Sequence, residues 1–376
     1  MTAMTLPPDP CQGTTVNDLT VRLTPLPGAH SVGACLTVRC GSRDDAPEPA
    51  GTAHLVEHLR VAAGPAAHRA AIPVFAQTDI AATHFQAVSS PEATADLVRR
   101  LLSVLDDGNA APAPGLLEAE RQAVLMETRR MDLNPLLRAG PLFASAACGE
   151  PGMDAIARTT PDTVAAVTAA HLTTLVGRAY RPANAVLSVA GPPSALARVA
   201  DTVNTRLAAT AAKPAPDPPV SCGPPLRVPG LDGLIALTLV RPRHSEDPDA
   251  DALPADPGPF VQAGHEAGVP ILGRTTLRNA AHLVDVVCWR PGERAGALLD
   301  ALRAVCAAPR YGLTDSMVEQ TRRALRQERA FTGATPLGRA FAVAEHGPAV
   351  DAGVPGLGVW QVAEGRAVTA LGTGFS

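Results

Sequence analysis

His54-Leu55-Val56-Glu57-His58 is the stretch of this 376-residue chain whose residue types and spacing are best suited to chemistry. On a helix, imidazoles at i and i+4 lie on one face, where both can reach a single metal ion, and Glu57 falls adjacent, beside the water such an ion would hold. The order H-x-x-E-H inverts the H-E-x-x-H helix pattern of zinc hydrolases. A hydrolytic zinc takes three protein ligands and an open position, so another carboxylate must come from elsewhere in the chain. The text from Leu116 to Met131 supplies candidates: Glu120 and Glu127 lie two helical turns apart on one face, with Glu118 off that face. His84, beside Phe85 in alternating text, reads as a packed strand histidine rather than a further ligand.

The elements that must position these residues follow from periodicity and breakers. Residues 18–41 hold two β-rich runs interrupted at Pro25–Gly28, which predicts two strands joined by a turn. Helical text begins at Thr52, and Val74–Val88 reads as extended. Ser90-Pro91-Glu92 opens a helix with an apolar face of Leu97, Leu101, Val104 and Leu105, ending near Gly108. A long helix is expected over Gly115–Asp132, stopped by Asn134-Pro135, and another over Pro161–Val176. Ala185–Gly191 is a short buried strand, followed by a helix over Pro193–Ala208. Residues 212–226 hold six prolines and are expected to be a linker between domains 1–211 and 227–376. Beyond it, strands at 234–242 and 282–291 and helices at 293–308 and 314–331 repeat the earlier order in shortened form.

Composition excludes several classes. Hydrophobic residues make up 46% and charged residues 18%, with a net charge of -4, so the chain can bury a core and has no electrostatic case for binding nucleic acid. Seven scattered cysteines without a C-x-x-C pair are unlike a secreted disulfide framework. No uninterrupted apolar run suits a membrane span, and the N-terminal text is not that of an export signal; a cytoplasmic location is expected. The acidic run at 245–256 reads as a solvated loop. No P-loop, G-x-S-x-G or dinucleotide-binding G-x-G-x-x-G occurs in a suitable context.

In its first domain the sequence resembles the M16 metallopeptidases, the family of pitrilysin, insulin-degrading enzyme and mitochondrial processing peptidase, and most closely the small bacterial M16B type. The resemblance is carried, in order, by Gly41-Ser42-Arg43-Asp44-Asp45, Gly51-Thr52-Ala53-His54-Leu55-Val56-Glu57-His58, Ala76-Gln77-Thr78, Thr83-His84-Phe85, Glu120-Arg121 with Val124 and Glu127, and Tyr180-Arg181-Pro182-Ala183-Asn184. It implies an α+β fold of two related domains, each an antiparallel-rich sheet covered by helices, the second trimmed. It implies His54, His58 and Glu127 as zinc ligands, Glu57 as general base and Glu120 as the carboxylate that fixes a liganding histidine. The strand around Phe75 and Ala76 would receive a peptide substrate as an added β-strand. Phe75 stands where the family has Asn, so an apolar contact is expected in place of a side-chain hydrogen bond.

A second departure concerns the C-terminal domain, from which active relatives contribute an Arg and a Tyr. The second half of this chain has a single tyrosine, Tyr311, in text between later helices, and neither Arg274 nor Arg278 stands in a matching context. The expectation is therefore a zinc endopeptidase subunit acting on short or unfolded peptides, paired with a second M16-like subunit or a second copy that completes the site. The competing expectation is a non-catalytic M16-like partner subunit, against which the intact H-x-x-E-H weighs.

Overall fold

The structure, a computed structural model, describes residues 12–45, 48–63, 71–106, 112–134, 136–148, 155–207, 234–242, 259–278, 282–290, 292, 294–308, 313–319, 335–345, 356–363 and 366–369. The proline-rich 212–226, the acidic 245–256 and Tyr311 lie outside the described residues.

Two sheets organise the α+β chain. The first runs in the order β1 (Gln12–Val16), β2 (Leu19–Pro25), β6 (Ala185–Gly191), β3 (Val32–Val38), β5 (Thr83–Ser89), β4 (Phe75–Thr78). The expected β2–β3 neighbours are thus separated: β6 lies between them, parallel to β2 and antiparallel to β3. The reason is burial. Every residue of β6 and of β3 is buried, so both need neighbours on each side, whereas β2 alternates in burial. The extended Val74–Val88 text is an antiparallel hairpin, with the four-residue β4 at the sheet edge.

Three predicted helices are subdivided. The one opening at Ser90 is a 3-10 turn, then α2 (Thr94–Leu102), then a second 3-10 turn to Leu105. In place of Pro161–Val176 there are α5 (Pro161–Ala166) and α6 (Ala169–Ala179), because Thr168 accepts from His171 N as a new N-cap and restarts the helix. Pro193–Ala208 contains a one-turn helix and α7 (Val199–Arg206). The metal-motif text forms α1 (Thr52–Ala62) and the acidic text forms α3 (Pro114–Asp132). Leu19, Val21, Leu36 and Phe85 of the first sheet bury with Leu55 and Val56 of α1, Leu97 and Leu101 of α2 and Leu172 and Leu175 of α6.

The second sheet is wholly antiparallel, in the order β11 (Arg366–Thr369), β10 (Gly356–Ala363), β7 (Ile235–Pro242), β9 (His282–Trp289), β8 (Gly273–Arg278). Leu237, Leu239, Val287 and Trp289 bury against Phe260 of α8 (Pro259–Ala267) and Leu298 and Leu302 of α9 (Ala295–Ala307). Each sheet also takes a helix from the other half of the chain. After Asn134 the chain forms α4 (Leu136–Cys148), which crosses β7, β8 and β9, while α10 (Pro336–Glu345) lies on β3 and β6. Gly33 permits that second contact: a Cβ there would stand 2.1 Å from Leu337 N and 2.4 Å from Leu337 Cα. Among the described residues, no helix is long and apolar enough to cross a membrane.

Candidate metal centre

The first ligand helix starts where the backbone is forced. Gly51, at φ 96, is the N-cap of α1 in the left-handed region that favours glycine. Asp45 then satisfies two of the amides that the start of the helix leaves free, accepting from Gly51 N at 2.7 Å and Ala53 N at 2.6 Å. Burial pushes the Asp45 carboxyl up to about 7, against the pull of those two donors. With Ala53, Leu55, Val56 and Leu59 committed to the core, His54, Glu57 and His58 face a cavity of about 490 Å³.

Across the cavity α3 packs on α1, its Val124 and Leu125 buried in the same core. The two-turn spacing brings both predicted carboxylates to the histidines. Glu127 Oε2 is 3.3 Å from His54 Nε2, Glu127 Oε1 is 3.7 Å from His58 Nε2, and Glu120 Oε2 is 3.2 Å from His58 Nδ1. Glu118, off that face, pairs instead with Arg121 and Gln122.

The donor set fits a zinc ion. One ligand atom each from His54, His58 and Glu127 lies within 4.8 Å of the others, and a tetrahedral ion holding nitrogen at about 2.0–2.1 Å asks for donors about 3.4 Å apart. Burial lowers the proton affinity of His54, but the hydrogen bond it donates to Glu127 and the charges of Glu57 and Glu127 outweigh it and raise its pKa. The bond from His54 in turn lowers Glu127. Glu57 is only 7% exposed, and burial raises its pKa, opposed by the histidines and by Thr78. Thr78 Oγ1 donates to Glu57 Oε2 at 2.8 Å.

Strand β4 forms the remaining wall, and Phe75 and Ala76 both line the cavity. Alternation along β4 sets Ala76 with Thr78 on the side of α1. It sets Phe75 on the opposite face, 69% exposed at the rim. His84 faces away from the cavity: its Nδ1 is 3.0 Å from Thr37 Oγ1 and its Nε2 is 3.3 Å from Asp79 Oδ2. Arg274 is an exposed residue of β8. Two residues at the site carried no role in the sequence reading, Asp45 and Thr78. Both stand in the family-like text, but what they do depends on which amide or carboxylate another element brings near.

Residues 20–137 match the family model described as Insulinase (Peptidase family M16). An uncharacterized zinc protease of Mycobacterium leprae is 28% identical over 190 residues, 48% of this chain and 42% of that protein, so the match spans less than half of the relative's length. Among solved structures, the M16-like peptidase from Alicyclobacillus acidocaldarius is similar in fold, with a TM-score of 0.62 at 19% identity, covering 91% of this chain and 89% of that one. The peptidase M16 inactive domain from Pseudomonas fluorescens is also similar, with a TM-score of 0.60 at 14% identity, covering 88% of each chain.

Proposed function

We propose that the chain, whose residues 20–137 match the M16 peptidase family model, is a zinc-dependent endopeptidase subunit that hydrolyses short or unfolded peptides. The observation that carries this reading is the convergence of His54, His58 and Glu127 beside a buried Glu57 that accepts from Thr78. His54, His58 and Glu127 would hold a zinc ion, which would supply Lewis acidity toward the scissile carbonyl and the attacking water. The chain's own residues do the rest. His54 and His58 each present Nε2 toward Glu127, and Glu120 holds the Nδ1 side of His58, fixing its tautomer. Glu57 takes a proton from water and returns it to the leaving amine. Strand β4, at the sheet edge, offers backbone groups on which an extended peptide can lie as a further strand.

The test is zinc uptake. A chelator-stripped chain is expected to bind one zinc and gain about 4 kcal/mol of stability at a thousandfold excess over Kd, read as a rise in Tm. Glu127→Ala is expected to abolish the rise, and a native chain whose Tm ignores zinc would refute the assignment. Removing a partner of a liganding histidine has a smaller effect: Glu120→Gln is expected to weaken zinc about 10- to 100-fold in a competition titration, with the fold intact.

We further propose that the working unit is a pair. The second half has a single tyrosine, Tyr311, and lacks the Arg and Tyr text of active relatives, so a second M16-like subunit or a second copy would complete the peptide-binding side. The same observation supports the other reading, a non-catalytic partner subunit. Single-chain assays separate them: cleavage by the monomer alone refutes the pairing, and a zinc-free chain that activates another M16 peptidase favours the partner role.

A further inference from the structure

Glu57 is held from strand β4 as well as by its own helix. Thr78 Oγ1 donates to Glu57 Oε2 at 2.8 Å, an ordinary hydroxyl hydrogen-bond distance. An edge strand of four residues is a poor anchor by itself, yet this end of β4 is fixed on three sides. Opposite Thr78 in the ladder, Thr83 donates to the Cys40 carbonyl at 2.8 Å, and the two threonine hydroxyls are 3.4 Å apart. The main chains of 42–43 and 79–80 are joined by Ser42 N to Asp79 O and Arg43 N to Ile80 O, each 2.9 Å. They lie so close that a Cβ on Gly41 would stand 2.4 Å from Asp79 O. On the other face, His84 bridges Thr37 and Asp79. None of these contacts uses a zinc-site residue.

Proton accounting then gives each hydroxyl one task. Thr83 has a single proton and gives it to Cys40 O; Thr78 has a single proton and gives it to the carboxylate. Glu57 Oε2 is therefore already an acceptor, and Oε1 is left for exchange. We propose that Thr78 is the positioning residue of Glu57: its hydroxyl fixes Oε2 and reserves Oε1 for the proton that passes from water to the leaving amine. This inference rests on the hydrolytic reading above, and adds to it a role for Thr78 that the family resemblance does not assign.

Thr78→Val keeps the shape and removes the proton, and Thr78→Ser restores it. With a fluorogenic peptide, Thr78→Val is expected to lower kcat about 10- to 100-fold with KM within about twofold. Zinc should stay at one per chain, and Thr78→Ser should return to within about threefold of the wild type. A readout free of turnover is the crystal structure of Thr78→Val, in which the Glu57 carboxylate should rotate away while the Thr83 to Cys40 bond remains. A carboxylate that stays in place overturns the proposal. So does wild-type kcat in Thr78→Val when Glu57→Gln is inactive, and so does a Thr78→Ser variant as impaired as the valine. Full activity in Glu57→Gln would instead defeat the hydrolytic reading, and the carboxylate position in Thr78→Val would still decide the role of Thr78.

Discussion

Glu57→Gln is expected to lower kcat about 10²- to 10⁴-fold while zinc uptake stays at one ion per chain and Tm is unchanged. The separation follows from the geometry. Glutamine has the shape of glutamate, and its carbonyl oxygen can still accept from Thr78, so the buried side chain keeps its place. The proposed donors, one atom each of His54, His58 and Glu127, are left intact by the substitution. What is lost is a group that can take up a proton, since an amide does not act as a base at neutral pH. Peptide cleavage at the wild-type rate would refute Glu57 as the base. A loss of zinc together with activity would mean that Glu57 helps assemble the metal site and is not confined to proton transfer.

The largest expected effect on stability is far from the candidate metal centre. Gly33→Ala is expected to destabilise the chain by about 3 kcal/mol or more, the upper part of the range for overpacking. A Cβ at 33 meets Leu337 N, Leu337 Cα and Pro336 C at 2.1, 2.4 and 2.4 Å, all of them main-chain atoms. A side chain could turn aside, but the first turn of α10 can only be pushed off the sheet as a body. Cys35 and Ala190, buried under α10 with Ala340, would then be uncovered. Two measurements follow: a drop in the denaturant midpoint, and faster alkylation of Cys35 by peptide mass mapping. Gly177→Ala, in α6 with nothing within 4 Å of the added carbon, is the control, expected to be stabilising by about 0.5–1 kcal/mol. A Gly33→Ala chain with a wild-type midpoint and a protected Cys35 would show that α10 does not bear on β3 as described.

What the sequence could reveal was set by distance along the chain. His54, Glu57 and His58 are one helical turn, and Glu120 and Glu127 are two turns of another, so helical periodicity alone predicts which side chains share a face. That the two faces meet needed only one packing contact, between α1 and α3. Strand order was not legible in the same way. The local text of β2 and β3 predicts two strands and a turn, but not that β6, from more than 140 residues later, slides between them. α4 was hidden for a different reason: it follows Asn134-Pro135 and carries Pro141 within it, the usual marks of a region without helix. Thr78 stands in the Ala76-Gln77-Thr78 text, but its use is decided by Glu57 arriving from another element.

The exchanged helices also bear on how the protein is made. During synthesis, β6 completes the first sheet long before residues 336–345 leave the ribosome. At about 5–20 residues per second the interval is on the order of ten seconds. Throughout it, among the described residues, the face carrying Gly33, Cys35 and Ala190 lacks α10 and has from its own half the partly buried Leu26. A nascent chain in that state is a natural client for a chaperone, and a ribosome stalled between β6 and α10 would leave a sheet whose α1 side is already covered and whose other side lacks α10.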